Sequence, residues 1–437
     1  MNQSDEEKLR LSRRRFLSCG FMAAATAGLS AQAAQAAIAA MNQGDASPQE
    51  KPLQKSAIEP FWGKYQAGIV TPAQKHTYLA AFDLTATSRD DIIEMLKAWT
   101  AATARMTTGQ TAEPLEQDDS VPAADSGDAL GLSPSRLTVT FGFGSGLFIK
   151  DGQDRYGLAA QRPAALVDLP KFAGDQLVNE RTGGDLLVQA CADDPQVAFH
   201  AVRQLTRLAY DTAHIRWVQT GFIANFKPQE TGRNLMGFKD GTMNPAVNDP
   251  KTMNQFVWVD QEGPDWMRNG SYVVVRRIRI ALEHWDRMNL AFQEQTVGRH
   301  KYSGAPLGGK NEFDKPDYDA TDNDGNPIIP ENAHARLASA EKNDGAQILR
   351  RPYSYNDGAN FTAERWPPWR QEMEYDAGLL FLCYQRDPRT GFIKIFDKMS
   401  KFDMMNQFVT HTGGGLFACP GGVAESGFIG QHLFDKS

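Results

Sequence analysis

The pattern of strand-like and helix-like segments in this chain runs through once, stops near Gly221, and begins again. In the first pass, His76 to Leu84 reads as a strand, with apolar Tyr78, Leu79, Ala81, Phe82 and Leu84. Asp90 to Ala104 carries Ile93, Leu96, Trp99 and Ala102 at helical spacing. Thr108 to Ser133 is a long polar loop. Leu137 to Gly142 and Leu186 to Ala190 read as strands, and Pro195 to Tyr210 as a helix. In the second pass, Tyr272 to Ala281 is a strand with β-branched alternation and Trp285 to Thr296 a helix. Gly298 to Pro330 is irregular, charged and rich in Gly and Pro. Leu379 to Tyr384 is a strand, and Phe396 to Phe408 is mostly helical. Strands and helices mixed within each half predict an α+β fold in two units of similar size.

The start of the chain reads as an address. Ser12-Arg13-Arg14-Arg15-Phe16-Leu17 precedes an apolar stretch from Cys19 to Leu29, followed by Ala31-Gln32-Ala33 and Ala34-Gln35-Ala36. A charged start, a short apolar middle and an A-x-A site make a secretory signal. The arginine pair before Phe-Leu makes it a twin-arginine signal. Residues 1–36 are therefore expected to be removed on export to the periplasm, and residues 37–57, rich in Ala, Gln, Ser and Pro, to form a flexible leader. The twin-arginine route carries proteins already folded, so a cofactor acquired before export is expected. Beyond this segment no apolar run approaches the roughly 18–20 residues a membrane span needs.

The net charge of −7 argues against a nucleic-acid partner, which would call for a basic face. Of the four cysteines, Cys19 falls in the signal; Cys191, Cys383 and Cys419 are an odd number without zinc-type spacing. They read as buried apolar thiols.

Three further segments carry chemistry. Gly237-Phe238-Lys239-Asp240-Gly241-Thr242-Met243-Asn244-Pro245 flanks an Asp with glycine, as backbone does where it approaches something closely, although an Asp-Gly also invites an ordinary turn. His334 sits in Glu331-Asn332-Ala333-His334-Ala335-Arg336-Leu337. Gln347-Ile348-Leu349-Arg350-Arg351 is an apolar run ending in two arginines.

Read together, Asp240, His334 and Arg350 in that order resemble the dye-decolorising peroxidase family. Its Gly-x-x-Asp-Gly motif is met by Gly237 to Gly241, its histidine after a long polar loop by His334, and its arginine ending an apolar run by Arg350. The likeness extends to Pro60-Phe61-Trp62-Gly63, to Gly298-Arg299-His300-Lys301 with Gly304-Ala305-Pro306-Leu307-Gly308, and to Phe381-Leu382-Cys383-Tyr384-Gln385-Arg386-Asp387-Pro388. It covers roughly residues 58 to 437 and is nearest the exported deferrochelatase/peroxidase branch that accompanies bacterial ferrous-iron uptake.

The resemblance implies two ferredoxin-like modules with antiparallel sheets, residues 58–221 and 222–437, in the manner of a dimeric α/β-barrel. Haem b (iron protoporphyrin IX) would lie in the second. It implies His334 as the iron ligand, with its other ring nitrogen meeting Asp387, Asp397 or Asp403. It implies Asp240 as the base that moves the peroxide proton, and Arg350 as the fixed positive charge beside it. A carboxylate base, with an ordinary pKa of about 3.9, predicts an acidic optimum. Gly241, Thr242 and Met243 would lie against the haem, and Arg299 would pair with a propionate. Trp258, Trp266, Tyr353, Tyr355, Trp366 and Trp369 are candidates for carrying electrons from bulky donors. Two departures stand out: Ser339-Ala340-Glu341 replaces an Asn-Pro-Arg segment of near relatives, and the short gap after His334 leaves Arg351 as a rival to Arg350.

The expected activity is therefore haem-dependent reduction of hydrogen peroxide by dyes, phenols or similar donors, in a protein resembling homodimeric relatives. The same likeness implies a second possibility, release of iron from haem or ferrous-iron oxidation beside an iron-uptake permease. A non-catalytic binding protein is a third. Two apparent motifs fail: Gly304 to Asn311 lacks the P-loop Ser or Thr, and Ala320 stands where an EF-hand needs Asp.

Overall fold

Among the described residues, alternating apolar side chains build nine strands, and their pairing closes the sheet on itself. The computed structural model describes residues 57–224, 230–360 and 374–435. The expected signal, most of the expected leader, Trp366 and Trp369 lie outside them. The strands are β1 (His76–Leu84), β2 (Thr138–Gly144), β3 (Leu186–Ala192), β4 (Ala213–Phe222), β5 (Ser271–Ile280), β6 (Leu349–Arg350), β7 (Tyr353–Asn360), β8 (Glu374–Gln385) and β9 (Val409–Cys419). The helices that matter below are α1 (Arg89–Met106), α2 (Pro195–Leu208), α3 (Pro250–Phe256), α4 (Leu282–Trp285), α5 (Leu290–Val297), α6 (His334–Leu337) and α7 (Phe392–Phe402).

Every strand pairing is antiparallel, and the order is β5-β9-β2-β3-β1-β4-β7-β8, with β8 returning to β5. The two halves have the same topology: β4-β1-β3-β2 in the first and β9-β5-β8-β7 in the second. In each, the first long strand lies between the third and the fourth, the ferredoxin-like arrangement expected of both modules. The seams between them are thin. Phe143 faces Ala418 and Gly144 faces Phe417 on one side, and Phe222 faces Ser354 on the other. The short β6 pairs with the part of β8 that β7 does not reach.

Closure gives the sheet an inside and an outside, and side chains alternate between them. Leu79, Ala81, Leu187, Val273, Val275, Leu380, Leu382 and Phe417 meet in one buried cluster fed from both halves, which only the inside of a ring permits. The outer face of the first half carries Phe82, Phe141 and Val188. It is covered by α1 and α2 through residues such as Leu96, Trp99, Val202 and Leu205. Ser88 starts α1 with a reciprocal cap: its hydroxyl accepts from the Asp91 N–H, and its own N–H donates to the Asp91 carboxylate. Cys191, Cys383 and Cys419 are free and buried, as expected. No helix among the described residues is long and apolar enough to cross a membrane.

Two expected elements differ. The helix read from Trp285 to Thr296 is broken into α4 and α5, because Asn289 adopts extended backbone and caps a new helix by accepting the Phe292 N–H at 2.9 Å. The segment read as helical from Phe396 to Phe408 begins earlier, at Phe392, and ends at Asp403, where a short 3-10 turn follows.

Ring closure depends on Gly414. Its φ is +136°, and a Cβ there would lie 1.9 Å from the Val275 carbonyl oxygen of the neighbouring β5. Gly414→Ala is expected to lower unfolding free energy by at least about 3 kcal/mol in denaturant titrations. Gly325→Ala, whose Cβ would meet nothing within 4 Å, should cost far less despite its positive φ. Equal midpoints for the two would refute this account of the β5–β9 pairing.

Candidate active site

The outer face of the second half is covered differently from that of the first. Alternation points Ile278 of β5 and Leu379 and Phe381 of β8 outward from the middle of the sheet. All three are only half-buried. Central strands rarely leave apolar side chains open, so these form the floor of a hollow.

Helix α7 borders that floor. Phe392, Ile395 and Met399 recur at helical spacing and are buried. Arg276, almost fully buried on β5, holds its guanidinium 5.1 Å from the Phe172 ring and 5.8 Å from those of Phe392 and Phe396. Fixing α7 fixes the residue that follows it, Asp403. There, Oδ1 caps the following turn by accepting the Met405 N–H at 2.8 Å, and Oδ2 lies 2.6 Å from Nδ1 of His334. Leu337 packs against Ile395 and Met399, and the Met404 N–H donates to the Asn332 carbonyl, so α6 is tied to α7 at both ends. Of the three acidic candidates, Asp403 is thus the one at His334. Asp387 pairs with Arg389, and Asp397 with Lys401. With Nδ1 committed, Nε2 is the nitrogen left for a ligand. The side chain keeps 31% of its surface open.

The Asp240 loop is built on a tight turn. Arg233 and Lys239 form a bridge, and Asn234 Oδ1 accepts the Met236 and Phe238 N–H groups. Gly237, at φ +86°, lets the backbone pass Lys301, whose Cε a Cβ would approach to 2.8 Å. Phe238 anchors the turn against Trp285, which donates to the Met236 carbonyl at 3.0 Å. Asp240 then follows, its side chain 11% exposed. Arg350 Nη1 lies 3.1 Å from Asp240 Oδ1 without hydrogen-bond alignment, so that buried oxygen has no hydrogen-bond donor among the described residues. Asn234 donates to the other oxygen at 3.4 Å.

Arg351 does not compete. Side chains alternate along the strand, and its guanidinium turns the other way, to the Thr71 carbonyl and Gln74 Oε1. Arg299 is buried: Nη1 donates to the carbonyls of Gly304 and Glu312 at 2.7 and 2.9 Å, and Nη2 has no partner among the described residues. Thr242 turns to Glu312, donating at 3.2 Å, and Met243 is 61% exposed, so neither side chain joins the cluster. Trp258, Trp266, Tyr353 and Tyr355 are all buried in the core. A cleft of about 510 Å³ beside Glu262, Gln347 and Arg386 contains none of these residues.

The hollow therefore offers an imidazole nitrogen, an undonated buried carboxylate oxygen, a cation 3.1 Å from it, an unpartnered buried guanidinium nitrogen and an apolar floor. That set fits a flat, apolar, carboxylate-bearing metal macrocycle. Sequence reading missed the floor and Asp403's selection. Leu379 and Phe381 were visible only as parts of a strand.

Burial pulls the His334 pKa down, but the Asp403 charge and hydrogen bond outweigh it, with Asp240 assisting and Arg350 opposing. The pKa is raised above its ordinary value. A raised folded pKa contributes stability that is complete below the unfolded value of about 6.5 and is lost as pH rises through the folded value. In protein free of any metal, NMR titration of His334 should give a pKa above the ordinary one. Asp403→Asn should drop it below, because burial remains when the charge is gone. An unchanged value in that variant would break the assigned pairing.

Comparison with known proteins adds the family. Residues 66–223 match the model of the Dyp-type peroxidase N-terminal region and residues 231–424 that of its C-terminal region. The chain is 37% identical to a dye-decolorizing peroxidase of Thermobifida fusca, over 100% of both chains. It is also 37% identical to a deferrochelatase of Yersinia pseudotuberculosis, over 99% of this chain and 97% of that one. Among solved structures, a DyP-type peroxidase of Streptomyces coelicolor superposes with a TM-score of 0.79 at 41% identity, covering 88% of this chain and 100% of that one. An oxyferrous complex of DtpA from Streptomyces lividans gives 0.78 at 41%, with the same coverage. These matches span both halves of the ring and the whole of the hollow, and the chain belongs to the Dyp-type peroxidase family.

Proposed function

We propose that the protein is a haem peroxidase whose cofactor, haem b, sits in the hollow between His334 and the Asp240–Arg350 pair. The observation that carries this is the convergence of those three side chains, from three distant segments, over the half-open floor of Ile278, Leu379 and Phe381. The oxyferrous state of the Streptomyces lividans relative supports a haem cofactor.

Haem supplies, when bound, the exchange of oxidising equivalents between peroxide and an organic donor. The protein's groups do the rest. His334 Nε2 would hold the iron, and Asp403 fixes the ring and its tautomer through Nδ1. Arg299 Nη2 would meet a propionate, and the backbone of Gly241, Thr242 and Met243 would border the macrocycle. Asp240 would take the proton from one peroxide oxygen and return it to the other. Arg350 supplies a guanidinium that would stabilise negative charge beside Asp240. Dyes, phenols or similar molecules serve as donors.

A second reading, iron release from haem, is favoured by the relatives called deferrochelatase, which are as similar as the peroxidase. Metal-free protoporphyrin, read by its fluorescence, distinguishes the two.

We further assign residues 1–36 as a twin-arginine signal delivering the protein to the periplasm. Residues 58–221 and 222–437 are then its two modules, in a homodimer that works beside an iron-uptake permease. Replacing Arg13, Arg14 and Arg15 together by Lys should keep the protein cytoplasmic on cell fractionation. Export unaltered by that triple change would remove the twin-arginine assignment.

The decisive measurement is an absorption spectrum of the haem-loaded protein at acidic pH, before and after peroxide. The wild type should show a strong Soret band that shifts; His334→Ala should lose or alter it. Asp240→Asn and Arg350→Leu should keep the band but lower peroxide turnover by about 10²–10⁴-fold. Turnover should also be greatest at acidic pH. Normal turnover in both variants would show that the pair does not act on peroxide.

A further inference from the structure

We infer that Asn244 is a positioning residue that holds Arg350 at its working distance from Asp240. This rests on the reading of Asp240 and Arg350 just given.

Arg350 sits at the end of β6, a two-residue strand paired on one edge only, to Tyr384 and Cys383 of β8. Its backbone N–H and C=O lie on the other edge, where no strand follows. Asn244 fills that place with its side-chain amide. Nδ2 donates to the Arg350 carbonyl at 2.7 Å, and Oδ1 accepts the Arg350 N–H at 3.1 Å. One planar amide thus satisfies both groups, as a neighbouring strand would.

Asn244 is also only four residues from Asp240. Gly241, at φ +110°, turns the chain between them, and the Asn244 N–H donates to the Gly241 carbonyl at 2.9 Å. Pro245, next in sequence and buried, confines Asn244 to extended backbone. The short turn from Asp240 to Asn244 and the two bonds from Asn244 to Arg350 make a closed loop. The 3.1 Å contact between Arg350 Nη1 and Asp240 Oδ1 completes it. Without the amide, nothing else among the described contacts ties the Arg350 backbone to the Asp240 loop. An asparagine is required because the site needs one donor and one acceptor on a rigid plane.

The test uses the haem-loaded protein and two variants. Asn244→Ala removes both bonds. Asn244→Asp keeps the volume, but when ionised it lacks the donor and sets a charge against the Arg350 carbonyl; when protonated it can again donate and accept. Asn244→Ala is expected to keep the Soret band while losing roughly 10–100-fold in kcat/KM for peroxide, with the donor KM unchanged. Its equilibrium affinity for cyanide, an anion probe read from the absorbance change, should fall about tenfold, because the Arg350 charge is no longer held in place. Asn244→Asp should resemble it at neutral pH and recover toward wild type as the medium is acidified. If Asn244→Ala fails to fold, the recovery of Asn244→Asp carries the test alone. Wild-type peroxide kinetics and cyanide affinity in the Asn244 variants, while Arg350→Leu loses both, would overturn the positioning role and leave the site reading intact. Unaltered kinetics in Arg350→Leu itself would remove the site reading, and this role with it.

Discussion

Closure of the sheet through β5 is the constraint from which the rest of the molecule follows. β5 is hydrogen-bonded along nearly its whole length to β8 on one side and β9 on the other. Apart from the short β6, the strands of the ring pair on both sides, and between their bulges the side chains alternate between an interior and an outer face. The interior is filled from both halves. Function is therefore confined to the outer face and to the loops above it.

The two halves share a topology and use it differently. In the first, α1 and α2 lie across the sheet and seal it, with Trp99 among the largest buried side chains. In the second, the connection between β5 and β7 is long. It supplies short helices and loops in place of one sealing helix, and the floor stays half-open. The same length gives the hollow its chemistry, since α6 brings His334 and the Arg299 segment brings a buried guanidinium. The Asp240 loop arrives from the link between the halves. β8 contributes by being long: its last residues outrun β7 and leave a place for β6, which carries Arg350.

Charge is placed with the same economy. Adjacent Arg350 and Arg351 face opposite ways because a strand alternates. One stands by Asp240; the other ties β6 to Thr71 and Gln74 of the first half. Asp403 divides its two oxygens between a turn and His334. Buried polar groups left without partners are costly. Among the described residues, Asp240 Oδ1 and Arg299 Nη2 are two of the buried polar atoms without a partner, and they lie at the ends of the segments that converge on His334 and Arg350.

Sequence alone determined what is local. Alternation in His76–Leu84 and Tyr272–Ala281 marked strands, and spacing in Asp90–Ala104 and Pro195–Tyr210 marked helices, because these patterns depend on neighbours a few residues apart. The restart after Gly221 announced the doubled α+β topology, and the family likeness of the Asp240, His334 and Arg350 segments marked where chemistry would lie. β4 escaped notice because it carries apolar Ile215, Val218 and Phe222 partly exposed on one face, which blurs its alternation. β9 escaped because Gly413, Gly414 and Gly415 resemble a loop until β5 packs against them. The selection of Asp403 over Asp387 and Asp397, of Arg350 over Arg351, the apolar floor and the Asn244 clamp were decided only by the tertiary structure. Each joins residues separated by roughly seventy to a hundred positions or more, and no local pattern specifies which distant surfaces a closing sheet will bring together.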